Sequence, residues 1–101
     1  MYLWVFVTTP NRTVANKVSS YLIRKRLVAC ANMFPVSSMY RWNKKVYRHN
    51  EIALILKTSA KNKKKIFSEI KKMHPYKLPD LTAFKVESTK DVKKWILKSL
   101  K

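Results

Sequence analysis

The segment His74-Pro75-Tyr76-Lys77-Leu78-Pro79-Asp80 holds an imidazole, a phenol and a carboxylate between and beside two prolines. Proline fixes its own φ and restricts the residue before it, so these side chains sit on a backbone of extended or turn geometry. An imidazole held in this way can bind a metal, exchange a proton, or order the turn through a hydrogen bond. The segment is therefore a candidate binding site, with His74 as the candidate metal ligand and turn ordering as its alternative role.

Few donor atoms are available for a metal. Cu(I) prefers thiolate, thioether and imidazole ligands, and the chain contains one Cys, four Met and two His. The sequence has no C-x-x-C or H-x-x-H spacing and no acidic cage to bring such donors together. Copper or another divalent cation is a candidate ligand, and no cofactor follows with certainty from the residues.

A second candidate residue is Glu51, which lies in a strand-like run. Alternation places it on an unusually polar face with Tyr47, His49, Ala53, Ile55 and Lys57. A carboxylate buried in a long hairpin needs partners, so we expect either an ion pair between subunits, with Lys57, Arg41 or another cation, or contact with a ligand. The predicted ligand or interface pocket comprises Tyr40, Trp42, Glu51, Lys57, Tyr76 and Asp80.

Catalysis would require a nucleophile and a base at fixed positions. The available combinations are the carboxylates Glu51 and Asp80, or Cys30 with His74, and sequence spacing fixes neither pair. Cys30 lies between two alanines, so we expect it to be a small buried core residue. We predict that the protein is not an enzyme.

The first half of the chain must position these residues. A nearly continuous apolar, β-prone run predicts a central strand over residues 3–8. An apolar stripe predicts an amphipathic helix over residues 11–27. The stripe consists of Val14, Val18, Tyr21 and Leu22.

Two long strands are predicted next, over residues 28–42 and 45–58, with the polar pair Asn43-Lys44 between them. So short a polar step between two strand patterns predicts a hairpin. Pro35 is expected to break or bulge the first of the two strands, because proline cannot donate to a sheet ladder.

The second half repeats the order of helix and strand. A helix is predicted over residues 59–73 with Ser59 as its N-cap, followed by a fourth strand over residues 81–86. The segment Ser88-Thr89-Lys90-Asp91 has the spacing of a capping box ahead of a closing helix. Two βαβ-like halves around a long hairpin predict an α+β ferredoxin-like sandwich (βαββαβ), with an extended β-hairpin and a C-terminal helix.

Composition limits the class of protein. A chain of 101 residues with 47% hydrophobic content is predicted to fold as one domain over residues 1–101. No apolar run approaches the roughly 18 residues of a membrane span, and the first residues lack a basic signal-peptide start. One cysteine forms no internal disulfide, which fits a reducing compartment. We expect a cytoplasmic protein without a membrane partner.

The net charge of +18 has two explanations, a selected site for polyanions or a compositional bias towards lysine. Apart from runs at residues 61–65 and 71–72, the basic residues are scattered as on a solvated surface. The chain has no glycine, so it lacks the Lys/Arg-Gly-Phe strand of RNA-recognition domains. The alternative function is a basic ferredoxin-like nucleic-acid-binding module. Specific nucleic-acid binding is nevertheless not expected, and weak, salt-sensitive polyanion binding would reflect charge alone.

Several ordered motifs make the whole chain resemble the CutA divalent-cation-tolerance family. They are Thr9-Pro10, Leu27-Val28-Ala29-Cys30-Ala31-Asn32, Ser38-Met39-Tyr40-Arg41-Trp42, Glu51-Ile52-Ala53-Leu54-Ile55-Leu56-Lys57-Thr58, His74-Pro75-Tyr76-Lys77-Leu78-Pro79-Asp80 and Trp95-Ile96. The resemblance implies a ferredoxin-like fold, a tight trimer whose long hairpins pair between subunits, a cytosolic location, and a link to copper and other divalent ions. It implies no enzymatic reaction, and it places any ligand site at subunit interfaces.

The chain departs from the family pattern at several positions. Family hairpins usually turn on a glycine where this chain has Lys44, so any positive φ would fall on Asn43 and a lysine. The acidic residue after the second proline is commonly Glu and is Asp80 here. Some bacterial members have copper ligands at positions that correspond to Val7, Met73 and His74, so one donor of that type remains. Independently of the family, exposed strand edges in a long hairpin favour self-association of two, three or four copies.

Overall fold

The computed structural model describes residues 2–100. Four strands and three helices follow in the predicted order. They are β1 (Tyr2–Thr9), α1 (Arg12–Arg24), β2 (Cys30–Trp42), β3 (Lys45–Ser59), α2 (Lys63–Met73), β4 (Leu81–Lys85) and α3 (Lys90–Ser99), with a short 3-10 turn (Ala60–Asn62) before α2. The strands form one antiparallel sheet in the order β2-β3-β1-β4, which confirms the predicted α+β ferredoxin-like fold.

The core lies between α1, α2 and one face of the sheet. Alternate residues of the paired central strands, Val5 and Val7 of β1 with Leu56 and Leu54 of β3, are fully buried there. The rest of the cluster consists of Ala15, Val18, Leu22, Val28, Ile66 and Ile70. Each large aliphatic side chain buried in this way stabilises the fold by roughly 1.5–3 kcal/mol. The helices α1 and α2 do not cover the opposite face of the sheet, so that face is available for a functional site.

The first helix ends earlier than predicted. It begins after the N-cap Asn11, whose Oδ1 accepts a hydrogen bond from the Val14 N–H at 2.9 Å. It ends because Arg26 takes a left-handed conformation (φ 58°), so that the Leu27 N–H bonds back to the Leu22 carbonyl at 3.0 Å. This is the Schellman geometry that glycine usually supplies, and residues 25–27 of the predicted helix therefore lie outside α1.

The hairpin turns on two residues with positive φ. Asn43 (φ 50°) and Lys44 (φ 66°) adopt the left-handed geometry expected at these positions, which matches a two-residue turn. Strand pairing is continuous from Cys30 opposite Lys57 to Trp42 opposite Lys45. The prediction that Pro35 breaks or bulges β2 is therefore wrong. Because β2 is an edge strand in this sheet, one of its sides has no neighbour that needs a donor from Pro35.

Two helix caps also differ from the prediction. Ser59 is the last residue of β3, and its Oγ has no hydrogen-bond partner within residues 2–100, so it makes no side-chain cap for the helix that follows. Ser88 does not cap α3, since Thr89 accepts the hydrogen bond from the Val92 N–H at 3.3 Å. The N-cap position is Asn62 for α2 and Thr89 for α3, three positions and one position after the predicted residues. Periodicity alone does not locate helix ends that closely.

The hairpin extends beyond the rest of the sheet. β1 pairs with β3 only from Ile52 onwards, so residues 36–42 and 45–51 pair only with each other. We call this two-stranded part, residues 36–51, the ribbon. It exposes several large apolar side chains, namely Met39, Tyr40, Trp42 and Val46. The described part of the chain is elongated accordingly, with extents of 44 × 24 × 21 Å.

Candidate functional site

The proline-bracketed segment connects α2 to β4 and folds towards the end of β1 and the middle of β3. Its first residue, His74, leaves the helical conformation (φ −81°, ψ 132°), because the following proline disfavours the helical region for the residue before it. The side chain of His74 is 7% exposed. The segment is therefore anchored to the body of the protein at its first residue.

Hydrogen bonds engage both ring nitrogens of His74. Nδ1 accepts from the backbone N–H of Tyr76 at 3.1 Å, and Nε2 lies 2.7 Å from the backbone oxygen of Thr8. Since Nδ1 accepts a hydrogen bond and a carbonyl oxygen cannot donate one, Nε2 carries the proton and donates a hydrogen bond to the Thr8 carbonyl. This is the turn-ordering role considered from the sequence. A metal ion would have to displace one of these two hydrogen bonds to bind the ring.

Tyr76 meets the buried carboxylate of Glu51. The Tyr76 hydroxyl donates to Glu51 Oε2 at 2.6 Å, and Glu51 is 6% exposed. Burial, followed by the hydrogen bond and the charge of Glu51, raises the pKa of Tyr76 far above its usual range. Within one chain the partner of Glu51 is thus a phenol. An ion pair between Glu51 and a cation of another subunit stays a prediction.

A cavity of about 760 Å³ opens beside this hydrogen bond, between the ribbon and the segment at residues 74–80. Five of the six predicted pocket residues line it, namely Tyr40, Trp42, Glu51, Tyr76 and Asp80. Lys57 does not line it, although it shares a face of β3 with Glu51. The two residues are six positions apart, about 20 Å along the strand, and the Lys57 ammonium lies 5.4 Å from the Trp4 ring centroid.

Nine other residues of the cavity were not in the predicted pocket, although Lys77 and Leu78 belong to the candidate segment at residues 74–80. The nine are Phe6, Thr8, Val36, Ser37, Ser38, Met39, His49, Lys77 and Leu78. Alternation gives a signal for some of them, because Phe6 and Thr8 point away from the core face that carries Val5 and Val7. His49 Nδ1 lies 2.8 Å from the Tyr40 hydroxyl, which ties two ribbon residues together across the strands.

The donor set does not fit a preformed metal site. Within residues 2–100 no group of three or more His, Cys, Asp or Glu side chains is placed to hold an ion. Two positions that the family resemblance links to copper ligands hold apolar side chains, since Val7 is a core residue and Met73 packs against the core. Cys30 is half-buried instead of buried as predicted, and its Sγ lies 3.8 Å from Asn32 Oδ1. Cys30 pairs with Lys57, whereas His74 bonds to Thr8, which pairs with Ala53. Four residues of β3 separate Ala53 from Lys57, so Cys30 lies roughly 13 Å along the strand from the position that His74 contacts.

Comparison with known proteins decides the family. The sequence model described as CutA1 divalent ion tolerance protein matches residues 3–99. The chain belongs to the CutA1 family. Divalent-cation tolerance protein CutA of Thermotoga maritima is 37% identical over 84 residues, which is 83% of each chain. The protein of the same name from Archaeoglobus fulgidus is 32% identical over 97 residues, 95% of each chain.

Solved CutA1 structures have the same fold over the whole chain. The structure of CutA1 from Pyrococcus horikoshii superposes with a TM-score of 0.94 at 31% identity and covers 98% of both chains. That of the periplasmic divalent cation tolerance protein CutA from Archaeoglobus fulgidus has a TM-score of 0.98 at 29% identity, with full coverage of both. In the part of this CutA1-family chain that the structure describes, every helix is too short or too polar to span a bilayer.

Proposed function

We propose that this chain acts in tolerance of divalent cations, copper among them, as a cytoplasmic homotrimer without enzymatic activity. The observation that carries the proposal is the match of the CutA1 family over residues 3–99. The related proteins of Thermotoga maritima and Archaeoglobus fulgidus are named divalent-cation tolerance proteins. The number of three copies and the emphasis on copper follow from the resemblance to the family.

The ribbon supports the oligomeric part of this proposal. A two-stranded hairpin is at best marginally stable alone in water, and its outer edges offer unpaired backbone groups. The ribbon also carries exposed apolar side chains, of which Met39 is 60% and Val46 57% exposed. A neighbouring copy that covers these edges and side chains would stabilise an element that one chain leaves uncovered.

The cavity supports the location of the functional site. It is bounded on one side by ribbon residues such as Tyr40 and Trp42, so a copy that packs on the ribbon would close it. Sites at such junctions are common because they are concave and combine apolar walls with a few polar groups. We place the functional site here and not at His74, whose two nitrogens already hold Thr8 and Tyr76.

Growth on copper tests this function. A host strain that lacks its own CutA protein should regain copper tolerance when it expresses this chain. Val46→Lys, which puts a charge on the ribbon, should abolish the rescue, whereas Val92→Lys, the same substitution at an exposed valine of α3, should retain it. Equal expression of all three proteins is checked by immunoblot. Failure of the wild-type chain to restore growth would contradict the proposal.

A further inference from the structure

The charge of the cavity is opposite to that of the chain. Glu51 and Asp80 are two of only five acidic residues in the sequence, whereas Lys77 is the one basic residue, out of 23 Lys and Arg, that lines the described cavity. With His49 neutral, the lining carries a net charge of −1 in a chain of net charge +18. A cavity of this charge favours a cationic ligand over an anionic one.

Aromatic rings line the same cavity. Phe6, Tyr40, Trp42 and Tyr76 all contribute to it. The faces of such rings attract cations through their quadrupole, most strongly where water is excluded, and rings combined with carboxylates recognise organic ammonium groups. The rings therefore favour the same sign of ligand charge as the two acidic residues.

The two carboxylates are held in place. Tyr76 donates to Glu51 Oε2, and no hydrogen bond among residues 2–100 engages Glu51 Oε1. Asp80 Oδ1 accepts from the Thr82 hydroxyl at 3.0 Å, which fixes its direction. A carboxylate as buried as Glu51 has lost much of its hydration, so a cation brought to its second oxygen would restore a favourable interaction.

A bare metal ion fits this arrangement less well than an organic cation. An ion needs several ligands within coordination distance, and no such group of three exists in the described residues. A volume of about 760 Å³ lies in the usual range for small-molecule sites and far exceeds one ion. Aromatic walls, moreover, contribute little to a strongly hydrated metal.

We propose that the cavity binds a small organic cation of the alkylammonium class. Glu51 and Asp80 neutralise its charge, and its apolar body packs on Tyr40, Trp42 and Tyr76. This inference rests on the proposed function, since it takes the cavity as the functional site and names the chemistry of its ligand.

Calorimetric titration of the intact protein with choline tests the proposal. The matched ligand is the neutral isostere of choline, in which carbon replaces the quaternary nitrogen. We expect choline to bind at least roughly tenfold more tightly than the isostere, because only choline gains the ion pair and the cation–π contacts. Equal affinity for the two compounds, or no binding of either, would overturn the proposal.

Matched variants place the binding in the cavity. Glu51→Gln should remove the preference for choline while it keeps a side-chain oxygen for the Tyr76 hydroxyl, and Glu87→Gln, at an exposed carboxylate outside the cavity, should leave it unchanged. If Glu51→Gln does not fold by circular dichroism, Asp80→Asn at the exposed end of the cavity serves instead and should weaken choline binding. A preference that survives in the cavity variant would overturn the assignment. If the wild-type protein restores growth on copper but does not bind choline, this inference alone is rejected, whereas failure of the wild-type protein to restore growth on copper rejects the proposed function.

Discussion

The two ends of β3 lie in different surroundings. Its second half has a neighbouring strand on both sides from Ile52 to Lys57 and presents fully buried residues such as Leu54 and Leu56 to the helices. Its first half pairs with β2 alone and exposes Val46. One continuous strand thus combines a part stabilised within the chain and a part that offers edges and apolar surface to another copy.

The largest effect should come from the enclosed half. Leu56→Ala removes a fully buried side chain, so we expect the free energy of unfolding to fall by about 2–5 kcal/mol in chemical denaturation. Leu56 packs against its own chain, so this variant should still associate like the wild-type protein. In contrast, Met39→Ala in the ribbon should weaken association, measured as a lower mass in sedimentation equilibrium at low protein concentration. An equal loss of association in the two variants would contradict the distinction between the two regions.

His74→Ala should have the next largest effect. The substitution leaves the half-buried Thr8 carbonyl and Tyr76 N–H without their imidazole partner, at a cost of roughly 1–3 kcal/mol. The matched control is His49→Ala, since His49 is exposed in the ribbon and bonds only to Tyr40. Thermal and denaturant unfolding measure both. An equal or smaller loss for His74→Ala than for His49→Ala would show that the imidazole does not anchor the segment.

Lys44→Gly should stabilise the tip of the ribbon. Lys44 has φ 66°, which disfavours a residue with a Cβ and favours glycine, so the gain should be about 1 kcal/mol. Lys45→Gly is the control, because Lys45 begins β3 and glycine weakens a strand. Denaturant unfolding should therefore move in opposite directions for these neighbouring lysines. A stability loss in Lys44→Gly would contradict the turn geometry.

High pH should weaken the contact between the ribbon and the segment at residues 74–80. Burial and Glu51 raise the pKa of Tyr76, so its stabilising contribution is complete below the unfolded value of about 10 and is lost as pH rises further. The hydrogen bond to Glu69 likewise raises the pKa of Tyr21 in the body. In an absorbance titration of tyrosinate, Tyr76→Phe and Tyr21→Phe should each remove a late-ionising phenol. If neither variant alters the late part of the curve, the assigned pKa directions are wrong.

Sequence patterns predicted the helices and strands well because buried residues recur at the spacing that each type of element sets. Alternation in β1 and β3 and the stripe of α1 follow from which side faces the core, and this pattern is visible in one chain. Helix ends were less predictable, since Ser59 and Ser88 compete with equally suitable neighbouring residues for the cap. Arg26 ends α1 through a conformation that the residue type does not signal.

The site was predictable where a motif fixed its backbone. Glu51 and Tyr76 lie 25 positions apart, and neither alternation nor spacing shows that the carboxylate and the phenol meet. Lys57 was assigned to that pocket by the strand face alone, which specifies direction from the sheet but not position along it. Alternation placed His49 on the same strand face as Glu51, but a strand face alone does not show that the segment at residues 74–80 lies beside it.

Sedimentation equilibrium of the wild-type protein, at low and high salt, tests most directly whether the ribbon is built for other copies. We expect a salt-resistant mass of three chains of 12.0 kDa, because apolar cover and backbone pairing are little screened by ions. Val46→Lys should lower that mass, and Val92→Lys should not. A wild-type protein that sediments as a folded monomer of 12.0 kDa would contradict this interpretation of the ribbon.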